Sequence, residues 1–395
     1  MCRTYKDGWS TAIPGGSVAY GMTQAGPEPV RRPRRRWHTG AIAAAGFAVV
    51  ASMAASSVAA PANAAGTKAV GADGAKAVGA AGAKAVATGP TLPGTSCPSF
   101  PADSVWNTPI TTLPVNADSA TWLAAMDASS TFLHPDYGPS GNPKVPYGIP
   151  WTIVTNSTPT TTIKFQYASQ SDKGPYPFTA TTAIEGGQDA TGDRHAIMVN
   201  SATCTLYELW HARYKTSGST AGSGAIWTLT SNQLRPAGWT SADAAGLPIL
   251  PLLVNYNEVG SGAMDHAIRV TAECTQESYV WPARHEAGQA DASCPPMGAR
   301  FRLDAGFSLP ASECATFCQT VVTAMKTYGL IVADNGSNWY FQGTMDTRWT
   351  DNQVDQLKQI PASEFEAVDE SCMQVSANSA EAYQPGTAAY ESQCG

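Results

Sequence analysis

The chain has 395 residues, nine cysteines and a formal net charge of −7, and 43% of its residues are hydrophobic. This length and apolar content suffice to bury a substantial core. The acidic balance argues against nucleic acid as a partner, because binding to a phosphate backbone depends on clustered basic residues.

The N-terminal segment has the organisation of a secretory signal peptide. Arginines at 31–36 precede an apolar run over 41–58, and the small residues that follow end in an Ala-x-Ala pattern at Ala62–Ala64. We predict a signal peptide over residues 1–64. Its removal takes the net charge from −7 to −12, since it carries seven basic and two acidic residues. The expected product is a secreted, extracellular monomer with no membrane partner after cleavage, because no later segment approaches the ~20 apolar residues that span a bilayer.

Composition changes sharply after the signal. Residues 67–86 repeat an Ala/Gly/Lys/Val octapeptide that cannot bury a core, so we predict a flexible linker over 65–96 and a single β-rich globular domain over 97–395. The eight cysteines left after cleavage predict four disulfides. Pairing of Cys274 with Cys294, and of Cys372 with Cys394, would close local loops, whereas a zinc site at 314–318 lacks a second pair of ligands.

Strand signals outnumber helix signals along the domain. Alternating or β-branched runs predict strands over 152–154, 161–167, 195–199, 206–210, 225–229, 268–271, 278–281 and 299–303. Helical patterns are found over 119–126, 312–328 and 351–360. We therefore expect a mainly β fold, a β-sandwich or jelly roll with a few peripheral helices.

Two stretches, 194–213 and 265–284, repeat one pattern. Each begins with His-Ala-Ile-x-Val, places a tryptophan fifteen residues after the histidine, and ends in an Ala-Arg pair. A β-branched strand followed by an aromatic strand predicts a β-hairpin in each copy, with the two hairpins packed as equivalent elements.

The repeats and a later loop hold most of the candidate chemistry. Glu208 lies inside an apolar strand, Asp265 precedes His266 at a strand entrance, and Asp334 begins an Asp-Asn-Gly turn. Glycoside hydrolysis needs one protonated and one ionised carboxylate, and a histidine beside a carboxylate suits proton transfer. These four are the predicted catalytic residues, and the alternatives are a core-rim histidine and surface carboxylates.

Further polar and aromatic side chains are candidates for holding a sugar, because amides, imidazoles and guanidinium groups bind hydroxyls while aromatic rings cover the apolar sugar face. The predicted substrate-binding residues are His195, Arg269, Arg284, His285, Asn338 and Trp339. For most tryptophans the alternative is core packing. No cofactor or metal is predicted.

The absence of several motifs narrows the function. The sequence has no Gly-x-Ser-x-Gly, His-Glu-x-x-His, phosphate loop or dinucleotide fingerprint. The favoured hypothesis is a secreted polysaccharide-active enzyme, with a glycoside hydrolase slightly preferred. The alternatives are a polysaccharide lyase using His, Arg and Tyr, and a non-catalytic glycan-binding or cell-surface protein. Convergence of Glu208, His266 and Asp334 in one groove would favour an enzyme, and their scattering would favour a binding protein.

Two phrases, Gly238–Ile249 and Ala333–Trp339, resemble those of a family of secreted, mainly actinobacterial proteins to which no activity is assigned. The resemblance implies export and a domain that begins at Cys97. It implies no catalytic residue.

Overall fold

The computed structural model describes residues 89–395. The predicted signal peptide and most of the predicted linker therefore lie outside the described residues. The last residues of that linker pack on the body of the domain: Leu92 is buried, and Thr91 forms a β-bridge with Pro98. The folded body thus begins a few residues before Cys97.

Strands and short helices alternate irregularly along the chain. The helices are α1 (Ser119–Ala125), α2 (Tyr256–Ser261), α3 (Thr316–Thr327), α4 (Asp351–Leu357) and α5 (Ala388–Cys394). The strands are β1 (His134–Asp136), β2 (Trp151–Val154), β3 (Ile163–Phe165), β4 (Ala196–Asn200), β5 (Thr205–Trp210), β6 (Ser219–Ala221), β7 (Ser223–Thr228), β8 (Ile268–Ala272), β9 (Arg300–Leu303), β10 (Leu330–Asn335), β11 (Tyr340–Gln342) and β12 (Phe365–Val368).

These strands form three sheets in the described part of the chain. The largest has the order β1-β11-β8-β10-β9-β12, the second has the order β2-β4-β5-β7, and β3 pairs with β6. The expected mainly β fold with a few helices is confirmed, and the sheets do not close into a barrel. Parallel pairing joins β1 to β11, β8 to β10, β2 to β4 and β3 to β6. A jelly roll is built from antiparallel strands, so the finer expectation of a sandwich or jelly roll is not confirmed.

Strand β4 is buried on both faces and separates two cores. Ile197 and Val199 point into the main core, and Ala196 and Met198 point into a smaller core beside β3 and β6. This follows from the alternation of side chains along a strand. His195 has the parity of Ile197, so its ring is directed towards the main core.

The predicted hairpin is present in the first repeat and absent from the second. β4 pairs with β5 in antiparallel register, as expected. In the second repeat β8 pairs instead with β10 and β11, and residues 278–281 form no strand. Pro282 lacks an N–H and cannot continue a ladder, which explains why this aromatic segment leaves the sheet. The prediction of two equivalent hairpins is therefore wrong.

All eight cysteines from Cys97 onwards are paired. The bonds are Cys97–Cys204, Cys274–Cys294, Cys314–Cys318 and Cys372–Cys394. Both predicted local pairs are present, and the 314–318 pair is a disulfide. Within residues 89–395 there is no helix with the length and apolar character to cross a membrane.

Candidate active site

A row of polar side chains crosses four neighbouring strands of the largest sheet. Asp136 ends β1, Gln342 ends β11, Arg269 lies in β8 and Asp334 lies in β10, and these strands are adjacent in that order. Asp136 is directly opposite Gln342 in the parallel pairing of β1 with β11. The register thus brings together residues that are about 200 positions apart in sequence.

Arg269 is the centre of this row. It is buried, and its guanidinium donates to both carboxylate oxygens of Asp243 (2.8 and 3.2 Å) and to Oε1 of Gln342 (2.8 Å). Asp334 approaches the same guanidinium at 3.8 Å. Because Asp243 takes the bidentate contact, Asp334 is only partly compensated for its charge.

A β-bulge orients Asp334. The register between β10 and β8 shifts between Val332 and Asp334, so Ala333 has no partner residue. An extra residue of this kind changes the direction in which the following side chains point. Burial, followed by the negative charge of Asp243, raises the pKa of Asp334 to about 8, despite the opposing effect of Arg269. Asp334 thus takes up a proton more readily than an ordinary aspartate.

A second group, Glu185 and His195, lies where the chain enters β4. Nδ1 of His195 is 2.6 Å from Oε2 of Glu185, and the backbone N–H of His195 donates to the same oxygen at 3.2 Å. Burial opposes the positive charge of His195, but the attraction and hydrogen bond of Glu185 outweigh it and raise the histidine pKa to about 9. Burial likewise opposes the negative charge of Glu185, yet His195 lowers its pKa overall. The pair is therefore an imidazolium and a carboxylate near neutral pH.

The loop between these two residues is held rigidly. Gly186 and Gly187 have φ values of 71° and 91°, a conformation that favours glycine. Arg194 is buried and donates to the carbonyls of Gln188 and Ala190 at 2.9 and 2.7 Å. The loop backbone thus supplies the acceptors for a buried guanidinium, and Glu185 is positioned by it.

Residues 242 and 243 connect the two groups. Nε2 of His195 is 3.2 Å from the carbonyl oxygen of Ala242, and the next residue, Asp243, binds Arg269. The imidazolium therefore donates from both of its nitrogens. This part of the phrase Gly238–Ile249 couples the entrance of β4 to the polar row on the largest sheet.

One residue of each group lies on a groove of about 400 Å³. Asp136 and Glu185 line it together with Ser140, Gly141, Asn142, Val145, Pro146, Tyr147, Gly148 and Gly186. Tyr147 is 59% exposed, so its ring is available to a ligand. The groove thus combines two carboxylates, small polar groups and one open aromatic face, which is the composition of a binding site for a polar ligand.

The two groove carboxylates have opposite pKa shifts. The Asp136 carboxyl is open to the groove but crowded by protein, and this loss of hydration, followed by the charge of Glu185, raises its pKa despite the amide of Gln342. Glu185 has a lowered pKa because of His195. Neighbouring carboxyls whose environments move their pKa values apart are the usual arrangement of an acid and its ionised partner.

Glu208 does not belong to this groove. Its side chain is completely buried, and its oxygens accept hydrogen bonds from the backbone N–H groups of Ile249 and Leu250 (both 2.9 Å) and from the indole of Trp227 (3.0 Å). Burial raises its pKa to about 7 against the effect of these donors. These contacts give Glu208 a structural role, contrary to the expectation of a catalytic carboxylate.

His266 and Asp265 lie at the opposite end of the sheet from Asp334. β8 and β10 are parallel and begin with the pair Ile268–Leu330, so His266 precedes β8 while Asp334, opposite Thr271, lies near the end of β10. Five residues along β8, roughly 17 Å, separate His266 from the level of Asp334. His266 is buried between the carbonyl of Ala267 (2.7 Å) and Glu258 (3.1 Å). The predicted convergence of Glu208, His266 and Asp334 is therefore not found.

Most of the other predicted binding residues are bonded to protein groups within the fold and lie outside the polar row. Arg284 is buried and donates to Arg235, Ala377 and Asn378, and Nδ1 of His285 contacts the carbonyl of Ala244. Trp339 is completely buried, with its indole N–H on the carbonyl of Met126, so it cannot cover a sugar ring. Asn338 accepts from the backbone N–H of Glu273. Of all the residues predicted from the sequence, only Asp334, Arg269 and His195 belong to the polar row or to the pair of Glu185 and His195.

Neither Asp136 nor Glu185 is among the site residues that the sequence predicts. Asp136 follows Pro135 in a three-residue strand that carries no alternation signal. For Glu185 a signal was present, since a carboxylate before Gly-Gly lies ten residues from the first histidine of the repeat. No group of three or more His, Cys, Asp or Glu side chains among residues 89–395 is arranged to hold a metal ion.

Comparison with known proteins gave no match to a family model, a curated protein or a solved structure.

Proposed function

We propose that the protein is a secreted glycoside hydrolase in which Asp136 is the general acid and Glu185 is the ionised carboxylate. The observation that carries this proposal is the pair itself: two carboxyls line one groove, one with a raised pKa and one with a lowered pKa. Hydrolysis of a glycosidic bond requires this combination of a protonated and an ionised carboxyl.

In the proposed reaction the bond between the anomeric carbon and the glycosidic oxygen breaks. The leaving oxygen takes the proton of Asp136, and the electron pair of the broken bond stays with that oxygen. Glu185 either takes a proton from the water that attacks the anomeric carbon, or attacks that carbon itself to form a glycosyl ester. In the second case water then hydrolyses the ester, and the Asp136 carboxylate takes the proton of that water. His195 is a positioning residue, because its two-nitrogen clamp between Glu185 and Ala242 holds the carboxylate ionised and oriented.

The charge around the groove favours a neutral glycan as substrate. Asp136 and Glu185 line it, and Asp193 is close enough to affect the pKa of Asp136 and of His195. None of the residues that line the groove is a cation, so the groove offers no group to neutralise the carboxylates of a polyuronate. Tyr147 offers an aromatic face to the apolar side of a sugar ring, and Ser140 and Asn142 offer hydroxyl and amide groups.

A polysaccharide lyase is less well supported. A lyase needs a free base and a free cation to neutralise a uronate. Both nitrogens of His195 are engaged, and the guanidinium groups of Arg269 and Arg284 are buried and bonded to protein acceptors. A non-catalytic glycan-binding protein remains the second candidate, since the residues first expected to converge are scattered while the groove itself is present.

Export to the extracellular space also belongs to the proposal. Four disulfides are compatible with an oxidising compartment. The signal-like N-terminus and the resemblance to secreted actinobacterial proteins support the same conclusion. An extracellular location would also give the protein access to a polymeric glycan, its proposed partner.

We further propose that the sheets are arranged as a two-layer sandwich.

The test is a screen of the purified protein on plant and microbial polysaccharides. New reducing ends would report hydrolysis, and ultraviolet absorbance of unsaturated uronates would report a lyase. On the glycan that reacts, Asp136→Asn and Glu185→Gln should each lower kcat by at least about 100-fold, the usual contribution of acid–base catalysis. Asp189→Asn is the matched control, since Asp189 is an exposed acid on the same loop. Full activity in both groove variants would exclude the assignment.

A further inference from the structure

An exposed aromatic pair lies at the end of β5, near the pair of Glu185 and His195, and has no role in the proposed chemistry. Tyr167 is 44% exposed, and its ring centroid is 6.3 Å from that of the partly exposed Trp210, with 34° between the planes. The His211 ring follows at 5.6 Å from Trp210. We name these three neighbouring rings the aromatic platform (Tyr167, Trp210 and His211).

The aromatic platform is connected to the groove through Asp193. The indole N–H of Trp210 donates to Oδ1 of Asp193 at 3.1 Å, and the backbone N–H of His211 donates to the Asp193 carbonyl at 2.7 Å. The charge of Asp193 in turn shifts the pKa values of Asp136, His195 and Asp334. Asp193, an exposed residue, therefore contacts the aromatic platform and is also close to the carboxyl groups of Asp136 and Asp334.

The strand register supports the same proximity. β4 and β5 are antiparallel with Ala196 opposite Leu209. The next positions, His195 and Trp210, therefore lie opposite each other at the same end of these two strands. A side chain at position 222 would overlap the Trp210 ring, so Gly222 is what allows the indole to lie flat against the backbone. His211 has a φ of 53°, an uncommon conformation that is often found at functional sites.

We propose that the aromatic platform is a second sugar-binding subsite, which holds a further ring of the same neutral glycan chain that occupies the groove. Aromatic rings bind the apolar face of a sugar, and Asp193 at the edge of the platform provides an acceptor for its hydroxyl groups. This inference rests on the proposed function for the identity of the ligand. It adds that the preferred substrate is a chain of several units rather than a disaccharide.

Binding can be measured apart from catalysis by affinity electrophoresis through gels that contain soluble xylan, mixed-linkage β-glucan, galactomannan or starch. The full mature chain should be retarded by at least one of these polymers, and the control Asp189→Asn should be retarded to the same extent. Tyr167→Ala and Trp210→Ala should each weaken binding at least about fivefold, as expected for loss of a ring that makes a significant contact.

Two controls separate stacking from folding. Trp210→Phe keeps an aromatic face and loses only the indole N–H to Asp193, so it should bind better than Trp210→Ala. Phe132→Ala removes a ring that is 54% exposed outside the platform and should bind as the wild type does.

The outcomes distinguish this inference from the proposed function. Retardation that depends on Tyr167 and Trp210, in a protein without hydrolytic activity, would support the subsite and exclude the hydrolase. Hydrolysis that is unaffected by both alanine variants on polymers, or the absence of retardation by every polymer, would overturn the subsite.

Discussion

Glu185 and His195 contact each other through side chain and backbone at once. The carboxylate accepts from the ring at 2.6 Å and from the His195 backbone N–H at 3.2 Å, while the Glu185 N–H donates to the His195 carbonyl at 2.9 Å. Three contacts between two residues fix both the position and the charge of the carboxylate. Asp136, on the same groove, has no such cation of its own, and this asymmetry separates the two pKa values.

The pH dependence of activity follows from that asymmetry. We expect kcat/KM to fall on the acid side at the lowered pKa of Glu185 and on the alkaline side at the raised pKa of Asp136, because the first must be ionised and the second protonated. The optimum should therefore lie between the lowered pKa of Glu185 and the raised pKa of Asp136. A pH–rate profile on the reacting glycan measures both limbs.

The same profile tests Asp334 as a competing acid. If Asp334 supplied the proton, the alkaline limb would lie near its pKa of about 8 and would move in Asp334→Asn. If Asp136 is the acid, that substitution should leave the shape of the profile largely unchanged. An alkaline limb near pH 8 that depends on Asp334 would contradict our assignment.

The ion pair of His195 with Glu185 should also make stability depend on pH. The folded pKa of His195, about 9, lies above its ordinary value of 6.5, so the contribution is complete below pH 6.5 and is lost as the pH rises to 9. The loss should be on the order of 3 kcal/mol, since one pKa unit corresponds to about 1.4 kcal/mol. Urea unfolding between these pH values measures it.

Glu185→Gln provides the control for this measurement. Without the carboxylate the histidine pKa should no longer be raised, so the free energy of unfolding should decline less between pH 6.5 and 9 than in the wild type. Other groups that titrate in this window contribute equally to both proteins. Identical slopes for the two proteins would show that the pair does not stabilise the fold.

The sequence predicts the elements of this protein better than its site. β4 and β5 were predictable because the alternation and β-branching of residues 195–210 are local signals. The second copy has the same His-Ala-Ile-x-Val pattern up to Val270 but forms no hairpin, because Pro282 and the long-range partners of β8 decide its structure. A local pattern cannot reveal that the neighbour of β8 begins only at Tyr340.

The same dependence on residues distant in sequence explains why only part of the candidate site is predictable. Asp334, Arg269 and His195 were recognised because they stand beside conspicuous motifs. Asp136 is not recognisable in this way, since its place beside Gln342 depends on parallel pairing between residues 134–136 and 340–342. A carboxylate inside an apolar strand is unusual, and this favours Glu208 as a catalytic residue. The groups that donate hydrogen bonds to it, however, come from residues 227, 249 and 250, which the local sequence does not reveal.

Glu208 should therefore matter for stability and not for chemistry. Glu208→Ala leaves three buried N–H groups without their acceptor, and each costs about 1–3 kcal/mol, so we expect a loss of at least about 3 kcal/mol in the free energy of unfolding. Denaturant unfolding measures this loss. Glu277→Ala, at an exposed acid, should change it by less than about 0.5 kcal/mol. A Glu208→Ala protein as stable as the wild type but inactive would restore Glu208 as a catalytic residue.

The four disulfides should contribute unequally to stability. Cys97–Cys204 closes a sequence separation of 107 residues, and Cys314–Cys318 closes one of 4. A crosslink restricts the unfolded chain more when the loop is longer, which corresponds to about 5 kcal/mol for the first bond and about 2 kcal/mol for the second. We expect the double variant Cys97→Ala with Cys204→Ala to unfold at a lower urea concentration than Cys314→Ala with Cys318→Ala. Equal losses of stability in the two variants would show that loop closure is not the main source of the stabilisation.

The wild type should contain essentially no free thiol, because all eight cysteines from Cys97 onwards are paired. Thiol titration of the denatured, unreduced mature chain measures this.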